Sequence, residues 1–452
     1  MKKFVIEFSD ERLITPSGLS LVGAVLGKSD LVKCCNRMSI TDKRSQPQIK
    51  NGDILLTYIG LLCQGKTKFE AVREMQADRA YHQMALGIAR DIPSAETLRQ
   101  RMDEIGSSLR EQILSANVTM FQNHEITPTP LSHGYIPVDI DVTPFDNSKT
   151  GKENVSRTYK GYDGYAPIMA YIGTEGFLVN SELRAGKQHC QKDTPDFLRK
   201  TLELSHQMTN ESLLIRMDAG NDAAENLGIL IEDGSYLIVK RNLRRGESKQ
   251  GWLDHVKPCC KDIRHPRNGK TVYVGTSWKD VTYKDAEGNE EKLGMRIGYE
   301  ITERTIDKQG QYLLEPEIEV HTWWTNLGLT DGEIIRLYHA HAESEQFHSE
   351  IKTDMDVERL PSRKFETNEL VLELTILAYN ILRIIGQASP KSGRAPTSKR
   401  PVKRRRLRTV ISNLILIASH VTEHSRKTFL SLGHSNIWRF VFREIYYRFA
   451  GV

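Results

Sequence analysis

The chain has 452 residues, of which 39% are hydrophobic and 27% are charged, and its formal net charge is +5. It is too long for one small domain, and no apolar run approaches the roughly 20 residues that a transmembrane helix needs. The start of the chain lacks the apolar core of a signal peptide, and four of the six cysteines form adjacent pairs that give no disulfide framework. We therefore expect a protein of the reducing cytoplasm, without membrane contact.

Residues 1–128 read as a helical N-terminal region. The segment PSAETLRQRMDEIG begins with the helix-start signal Pro93–Ser94 and is expected to expose Thr97, Arg99 and Arg101. A helix-turn-helix that reads DNA is one interpretation. A helical hairpin that only packs against its neighbours is the other.

From residue 129 the pattern changes to strands. GYIPVDIDVT, APIMAYIG and FLVNSELRAG predict an antiparallel meander, and alternating helices and strands follow up to residue 240. Residues 241–320 read as a β-rich insertion, after which the α/β pattern resumes over residues 321–390. That last part includes a long apolar helix, residues 368–386, which is expected to pack on the sheet. The order predicts a mixed α/β sheet.

Residues 391–452 are predicted to be a basic linker followed by a helical segment. The stretch 391–410 holds nine Lys or Arg residues and no acid, so the rest of the chain is net acidic. Such a segment suits contact with a phosphate backbone. A solvated basic tail is the alternative.

Acidic residues stand at the ends of two predicted strands. In VDIDVT, Asp139 and Asp141 share one face of a strand, and alternation alone does not choose between them. In LLIRMDAGND, Asp218 follows an apolar strand. Ligands collect at the carboxyl ends of strands in open α/β sheets, so these acids are candidate site residues, although an aspartate in Asp218's position is also often a simple helix cap.

A predicted helix supplies a third carboxylate. At roughly 100° per residue, LYHAHAESEQFHSEIK places Tyr338, His341, Glu345 and Lys352 on one face. Two aspartates and a glutamate are the hard oxygen ligands that Mg²⁺ or Mn²⁺ prefers. Three carboxylates of this kind can hold two ions that drive phosphoryl transfer.

These motifs resemble those of bacterial insertion-sequence transposases of the DDE superfamily, whose catalytic domain has the ribonuclease H-like fold. The resemblance rests on DVT, on RMDAGN and on Tyr338, Glu345 and Lys352, and it covers about residues 130–390. The family signature is Y-x2-R-x3-E-x6-K, and His341 stands in place of its arginine. Because the first motif of the family is D-x-T, the resemblance selects Asp141 as the first acid.

The resemblance implies cut-and-paste transposition. Asp141, Asp218 and Glu345 would bind two Mg²⁺ ions, with Mn²⁺ as a substitute, and Tyr338, His341 and Lys352 would contact DNA phosphates. Trp323 or Trp324 would receive a flipped base, although a strand tryptophan is more often part of the core. The expected partners are the terminal inverted repeats and target DNA, bound by a homodimer at the bacterial nucleoid. An inactive DNA-binding descendant and a nuclease of the same fold are the alternatives.

Overall fold

A computed structural model describes residues 3–40, 47–285, 287–397 and 402–451. The chain divides into two compact units. The first unit comprises Met1–Thr127, Phe145–Val155 and Ser349–Val452, and the second comprises Pro128–Pro144 and Ser156–His348. Within the described ranges, no helix has both the length and the apolar character needed to cross a membrane.

The N-terminal part of the first unit is helical, as predicted. Its elements are β1 (Leu13–Ile14), α1 (Leu19–Leu26), α2 (Leu31–Arg37), α3 (Asn51–Leu62), α4 (Val72–Ala77), α5 (Arg79–Leu86), α6 (Ala95–Ile105) and α7 (Arg110–Asn123). Helix α6 begins at Ser94, whose hydroxyl accepts a hydrogen bond from the backbone N–H of Thr97 at 3.1 Å. The expected exposure of Arg101 is wrong: this side chain is buried and donates to the Asn51 side-chain oxygen at 2.6 Å.

A mixed sheet forms the centre of the second unit. Along the chain the next elements are β2 (Ile136–Val142), β3 (Phe145–Asp146, in the first unit), β4 (Ser156–Arg157), β5 (Asp163–Tyr165), β6 (Ile168–Ile172), β7 (Phe177–Glu182), α8 (Thr194–Met208), β8 (Leu213–Met217), α9 (Ala224–Glu232) and β9 (Tyr236–Arg241). Strands β2, β6 and β7 form the predicted antiparallel meander, while β8 runs parallel to both β2 and β9. The predicted mixed α/β sheet is confirmed.

The β-rich insertion extends this same sheet. It contains α10 (Lys249–Val256), β10 (Asp262–Arg267), β11 (Lys270–Lys284), β12 (Glu290–Ile306) and β13 (Tyr312–Thr325). Because β13 pairs with β9, the strand order becomes β10-β11-β12-β13-β9-β8-β2-β6-β7. Helices α11 (Asp331–His339) and α12 (Ser344–Ser349) follow, and a capping box between Thr330 and Glu333 fixes the start of α11.

The C-terminal part of the first unit contains more than the helix that the sequence predicts. Its elements are α13 (Phe365–Ala388), α14 (Leu407–Val410), β14 (Ser419–His424), β15 (Lys427–Leu432) and α15 (Arg439–Ala450). Strands β14 and β15 form a hairpin, which joins β1 in a three-stranded sheet. Helix α13 packs mainly against α1, α3, α6 and α7 of its own unit. As a result, it is buried on nearly every face. The expectation that it packs on the mixed sheet is therefore wrong.

Candidate active site

Asp139 and Asp141 share a strand face but have different surroundings. Asp139 is buried and accepts two hydrogen bonds from the guanidinium of Arg216, at 2.6 and 2.7 Å. The two residues lie side by side because β2 and β8 are parallel neighbours with Asp139 opposite Arg216. Burial opposes ionisation of Asp139, but the positive charges of Arg216 and His341 outweigh it and lower the pKa of the carboxyl. Asp139 is thus committed to an ion pair.

Asp141 is only partly buried. One of its carboxylate oxygens accepts from the Val142 backbone N–H at 2.8 Å, and the other lies 3.3 Å from Nε2 of His348. The phenol of Tyr171 in turn lies 3.0 Å from Nδ1 of His348. A single imidazole tautomer satisfies both contacts: the phenol donates to Nδ1, and Nε2–H donates to Asp141. Tyr171 and His348 therefore hold the Asp141 carboxylate in place.

Asp218 stands at the carboxyl end of β8, beside β2. Its Oδ1 accepts from the Gly220 backbone N–H at 3.1 Å and from the Asn221 amide at 2.8 Å. In the described part of the chain no hydrogen bond reaches its Oδ2. Burial raises the pKa of the Asp218 carboxyl, and the negative charge of Asp141 raises it further. The carboxylates of Asp141 and Asp218 are thus close enough for their negative charges to repel each other. A bound cation would relieve this repulsion.

Tyr338 and His341 lie beside this pair. Burial raises the pKa of the Tyr338 phenol, and so do the charges of Asp218 and Asp141. Burial disfavours protonation of His341, but Asp139, whose Oδ1 lies 3.0 Å from Nδ1, raises the pKa of the imidazole overall. The structure therefore places Asp141, Asp218, Tyr338 and His341 near one another.

Glu345 does not join this group. Its side chain is exposed, and across the described ranges no set of three or more His, Cys, Asp or Glu side chains is arranged to hold a metal ion. The cause is the helix geometry, since Ala340–Glu343 is a 3-10 helix between α11 and α12. A 3-10 helix turns about 120° per residue rather than about 100°, so four residues add about 80° of rotation. That rotation moves Glu345 off the face of Tyr338 and brings His348 onto it.

The other three residues predicted to contact DNA, namely Lys352, Trp323 and Trp324, are in contact with other groups of the protein. Lys352 belongs to the first unit, in the π-helix Glu350–Asp354, and its ammonium lies 3.1 Å from Glu358. Trp323 and Trp324 are 1% and 3% exposed. Trp323 belongs to the core beneath α11, and the indole N–H of Trp324 donates to Asp222 at 3.0 Å. In this structure neither indole presents a face to a DNA base.

Much of the basic segment 391–410 is paired inside the first unit. Arg404 lies 2.7 Å from the fully buried Glu350, and Arg406 lies 2.8 Å from Asp354. Arg383 of α13 also contacts Glu350, at 2.5 Å. Residues 398–401 of the predicted segment lie outside the described ranges. Arg404 and Arg406 of this run therefore stabilise buried acids.

Sequence reasoning missed three residues near the aspartates. Tyr171 and His348 position Asp141, and the phenol of Tyr159 donates to the Val142 carbonyl at 3.2 Å. Burial and the charges of Asp141 and Asp218 raise the pKa of Tyr159. Alternation within APIMAYIG places Tyr171 on a definite face of its strand, but no local pattern indicates its contact with His348.

The second unit thus combines a mixed sheet with two aspartates, Asp141 and Asp218, at the ends of adjacent parallel strands. The family described as transposase DDE domain, group 1, matches residues 1–451, and the chain belongs to this family. It is therefore a DNA transposase, of a superfamily whose members cut and join DNA and generally use divalent metal ions.

Among solved structures, the chain is similar to the piggyBac transposase in a synaptic complex with hairpin DNA. The two share 10% sequence identity over 89% of this chain and 80% of that one, with a TM-score of 0.40. No curated protein matches the sequence.

Proposed function

We propose that the chain is a cut-and-paste transposase of an insertion sequence, with Asp141, Asp218 and Glu345 as its catalytic carboxylates. The observation that supports this proposal most is the proximity of Asp141 and Asp218 in the second unit. Each has one carboxylate oxygen that accepts no backbone hydrogen bond in the described part of the chain, and the charge of Asp141 raises the pKa of Asp218. A pair of this kind is suited to bind a divalent cation.

The donor set fits Mg²⁺, with Mn²⁺ as a substitute, because all of its ligands are hard carboxylate oxygens. Asp141 and Asp218 would hold the metal, and two bound ions supply an activated water or 3′-hydroxyl and stabilise the departing oxygen. Glu345 would complete the set after the 3-10 stretch Ala340–Glu343 rewinds into an α-helix. That change reverses the rotation of about 80° that now turns Glu345 away, and it also moves His348 away from Asp141, so His348 would position Asp141 for the metal before Glu345 joins.

Other residues would position the DNA. Tyr338 offers a phenolic donor next to both aspartates, and His341, whose pKa Asp139 raises against the effect of burial, would offer a positive charge when protonated, where the family signature has arginine. Lys352 would contact a phosphate. The partners would be the terminal inverted repeats of the element and target DNA, held by a homodimer, and the buried ion pair of Asp139 with Arg216 would keep β2 and β8 in register beneath the site.

A second candidate function follows from Glu345. Because this glutamate is exposed and separate from the aspartates, the chain also fits a transposase-derived protein that binds DNA without cutting it. Such a protein would keep its DNA affinity and show no cleavage in Mg²⁺, and restoring the signature arginine with His341→Arg would not rescue cleavage.

Metal binding tests the proposal independently of activity. We expect titration calorimetry with Mn²⁺ to show binding by the full-length protein, with strong loss in Asp141→Asn and in Asp218→Asn. Activity is then tested by incubating the protein and Mg²⁺ with a duplex that carries the element's terminal repeats and a supercoiled plasmid. Joined products support a transposase, nicks alone support a nuclease, and neither product supports the DNA-binding descendant.

A further inference from the structure

A cavity of about 810 Å³ in the first unit collects positive charge from four separate parts of the chain. Its walls come from the loop before α4, from α6 together with Lys152, and from the segment that leads into α13. Six basic and three acidic side chains line it. The basic ones are Lys68, Arg99, Lys152, Arg359, Arg363 and Lys364.

The pairing of these side chains is uneven. Asp103 already contacts both Arg99, at 3.3 Å, and Lys364, at 3.2 Å. The side chains of Lys68, Arg359 and Arg363 are exposed, and none forms a hydrogen bond or ion pair with another residue in the described part of the chain. The cavity therefore has an excess of positive charge, because six basic side chains face three acidic ones.

Lys152 also lines the cavity. Its ammonium donates to the Asn147 side-chain oxygen at 2.7 Å and to the Leu360 carbonyl, both neutral acceptors. Burial lowers the pKa of this ammonium, and the charge of Arg359 lowers it further. Like charges that converge on one space are unfavourable, and a bound anion relieves the repulsion.

The most basic run of the sequence, residues 403–408, differs from the cavity because two of its arginines are paired with acids. Within 403–408, Arg404 and Arg406 are neutralised by the buried acids Glu350 and Asp354. Among the exposed cations of the first unit, Lys68, Arg359 and Arg363 thus converge on one cavity, which no local run of sequence marks. A solvated basic surface would spread its cations over a convex face, whereas these converge on one concave space.

We infer that this cavity binds the phosphodiester backbone of a DNA duplex, through Lys68, Arg359 and Arg363. The inference rests on the proposed function, which requires DNA but assigns no contact to these residues. Backbone contacts of this kind position DNA without reading its sequence, so a duplex of any sequence is a valid probe.

The test compares two double variants of equal charge. In Arg359→Gln/Arg363→Gln two cavity cations are removed. In the control, Lys33→Gln/Arg37→Gln, two exposed cations of α2 are removed from the same unit. Affinity for a fluorescent duplex of mixed sequence is measured by anisotropy over a range of salt concentrations. Each phosphate contact adds about 0.9 to the slope of log affinity against log salt.

We expect the cavity variant to lose up to about 2 units of this slope and at least about tenfold in affinity near 0.1 M salt, while the control stays close to wild type. Lys68→Gln, on a different wall, should lose about 0.9 unit alone. All three substitutions remove exposed side chains without partners, so melting temperatures should match that of the wild type.

The remaining outcomes separate the two proposals. If the wild-type protein does not bind DNA, the proposed function fails, and this inference fails with it. If the wild type binds and the cavity variant matches the control, only the cavity assignment is overturned. If inorganic phosphate displaces DNA from the wild type far better than chloride at equal ionic strength, but does not do so from the cavity variant, the cavity is a site for free phosphate and the inference is also overturned.

Discussion

The replacement Arg216→Met tests whether Asp139 is a structural residue. Arg216 and Asp139 form a bidentate pair with side chains 4% and 5% exposed, and a third guanidinium N–H donates to the Leu337 carbonyl at 2.6 Å. Methionine keeps an unbranched side chain, although a shorter one, and removes these donors. The carboxylate of Asp139 then remains buried with His341 as its only cationic partner among the described residues.

The expected loss follows from that burial. Removing one partner of a buried ion pair costs about 3–5 kcal/mol, because the other charge is left uncompensated. His341 reduces the loss where it is protonated. Since the pKa of His341 is already raised and Arg216 opposes its protonation, the loss in Arg216→Met should be smaller at acidic pH and grow as the pH rises.

Urea unfolding, followed by the fluorescence of the buried Trp323 and Trp324 in the same unit, gives the free energy of unfolding. The double variant Asp139→Leu/Arg216→Met removes both charges and should recover most of the loss. A loss below about 1 kcal/mol in Arg216→Met would contradict this reasoning. Asp139 would then be hydrated or neutral, and its ion pair would no longer separate it from Asp141 as a candidate ligand.

Three further predictions concern single side chains. His348→Ala removes the hydrogen bond to Asp141 and should weaken Mn²⁺ binding by about 10–100-fold in calorimetry; unchanged affinity would contradict its positioning role. The pKa of the buried Glu373 carboxyl is raised by burial to about 8, so the folded state holds a proton that the unfolded state releases above about pH 4.5. Stability should fall as the pH rises from 4.5 to 8, and melting curves of Glu373→Gln should lack that fall. Trp324→Phe removes the indole donor to Asp222 and should cost about 1–3 kcal/mol in urea unfolding, with DNA affinity unchanged; weaker DNA binding would instead support a base contact.

The arrangement of the mixed sheet could be predicted because its signals are local. Strands β2, β6 and β7 alternate, β8 is a short apolar run, and Asp218 follows it directly. These patterns define the element order and place Asp141 and Asp218 at neighbouring strand ends. The choice between Asp139 and Asp141 could not be made in this way, because a period of two puts both on one face. Only the register that sets Asp139 opposite Arg216 separates them.

The rotation of α12 relative to α11 about the helix axis could not be predicted from the sequence. A shared face for Tyr338 and Glu345 assumes a uniform α-helix, whereas Ala340–Glu343 is a 3-10 helix. The composition of this stretch carries no proline or glycine that would indicate the change. The role of His348 depends on this rotation, so it also remained hidden.

The acidic residues that pair with the basic segment 391–410 could not be predicted from the sequence either. Arg404 and Arg406 meet Glu350 and Asp354, which lie about fifty positions earlier in the chain. Local charge patterning predicts a solvated or DNA-binding segment, since it contains no information about such distant acids.

The central claim is that Asp141, Asp218 and Glu345 act together in Mg²⁺-dependent strand transfer. The most direct test measures joining of a terminal-repeat duplex to plasmid DNA by wild type, Asp141→Asn, Asp218→Asn and Glu345→Gln. Glu343→Gln is the matched control, because it changes an equally exposed glutamate two positions away. We predict joining by wild type and the control, and none by the other three. Joining by Asp141→Asn or Asp218→Asn would contradict the claim, and equal activity of Glu345→Gln and Glu343→Gln would remove Glu345 from the site.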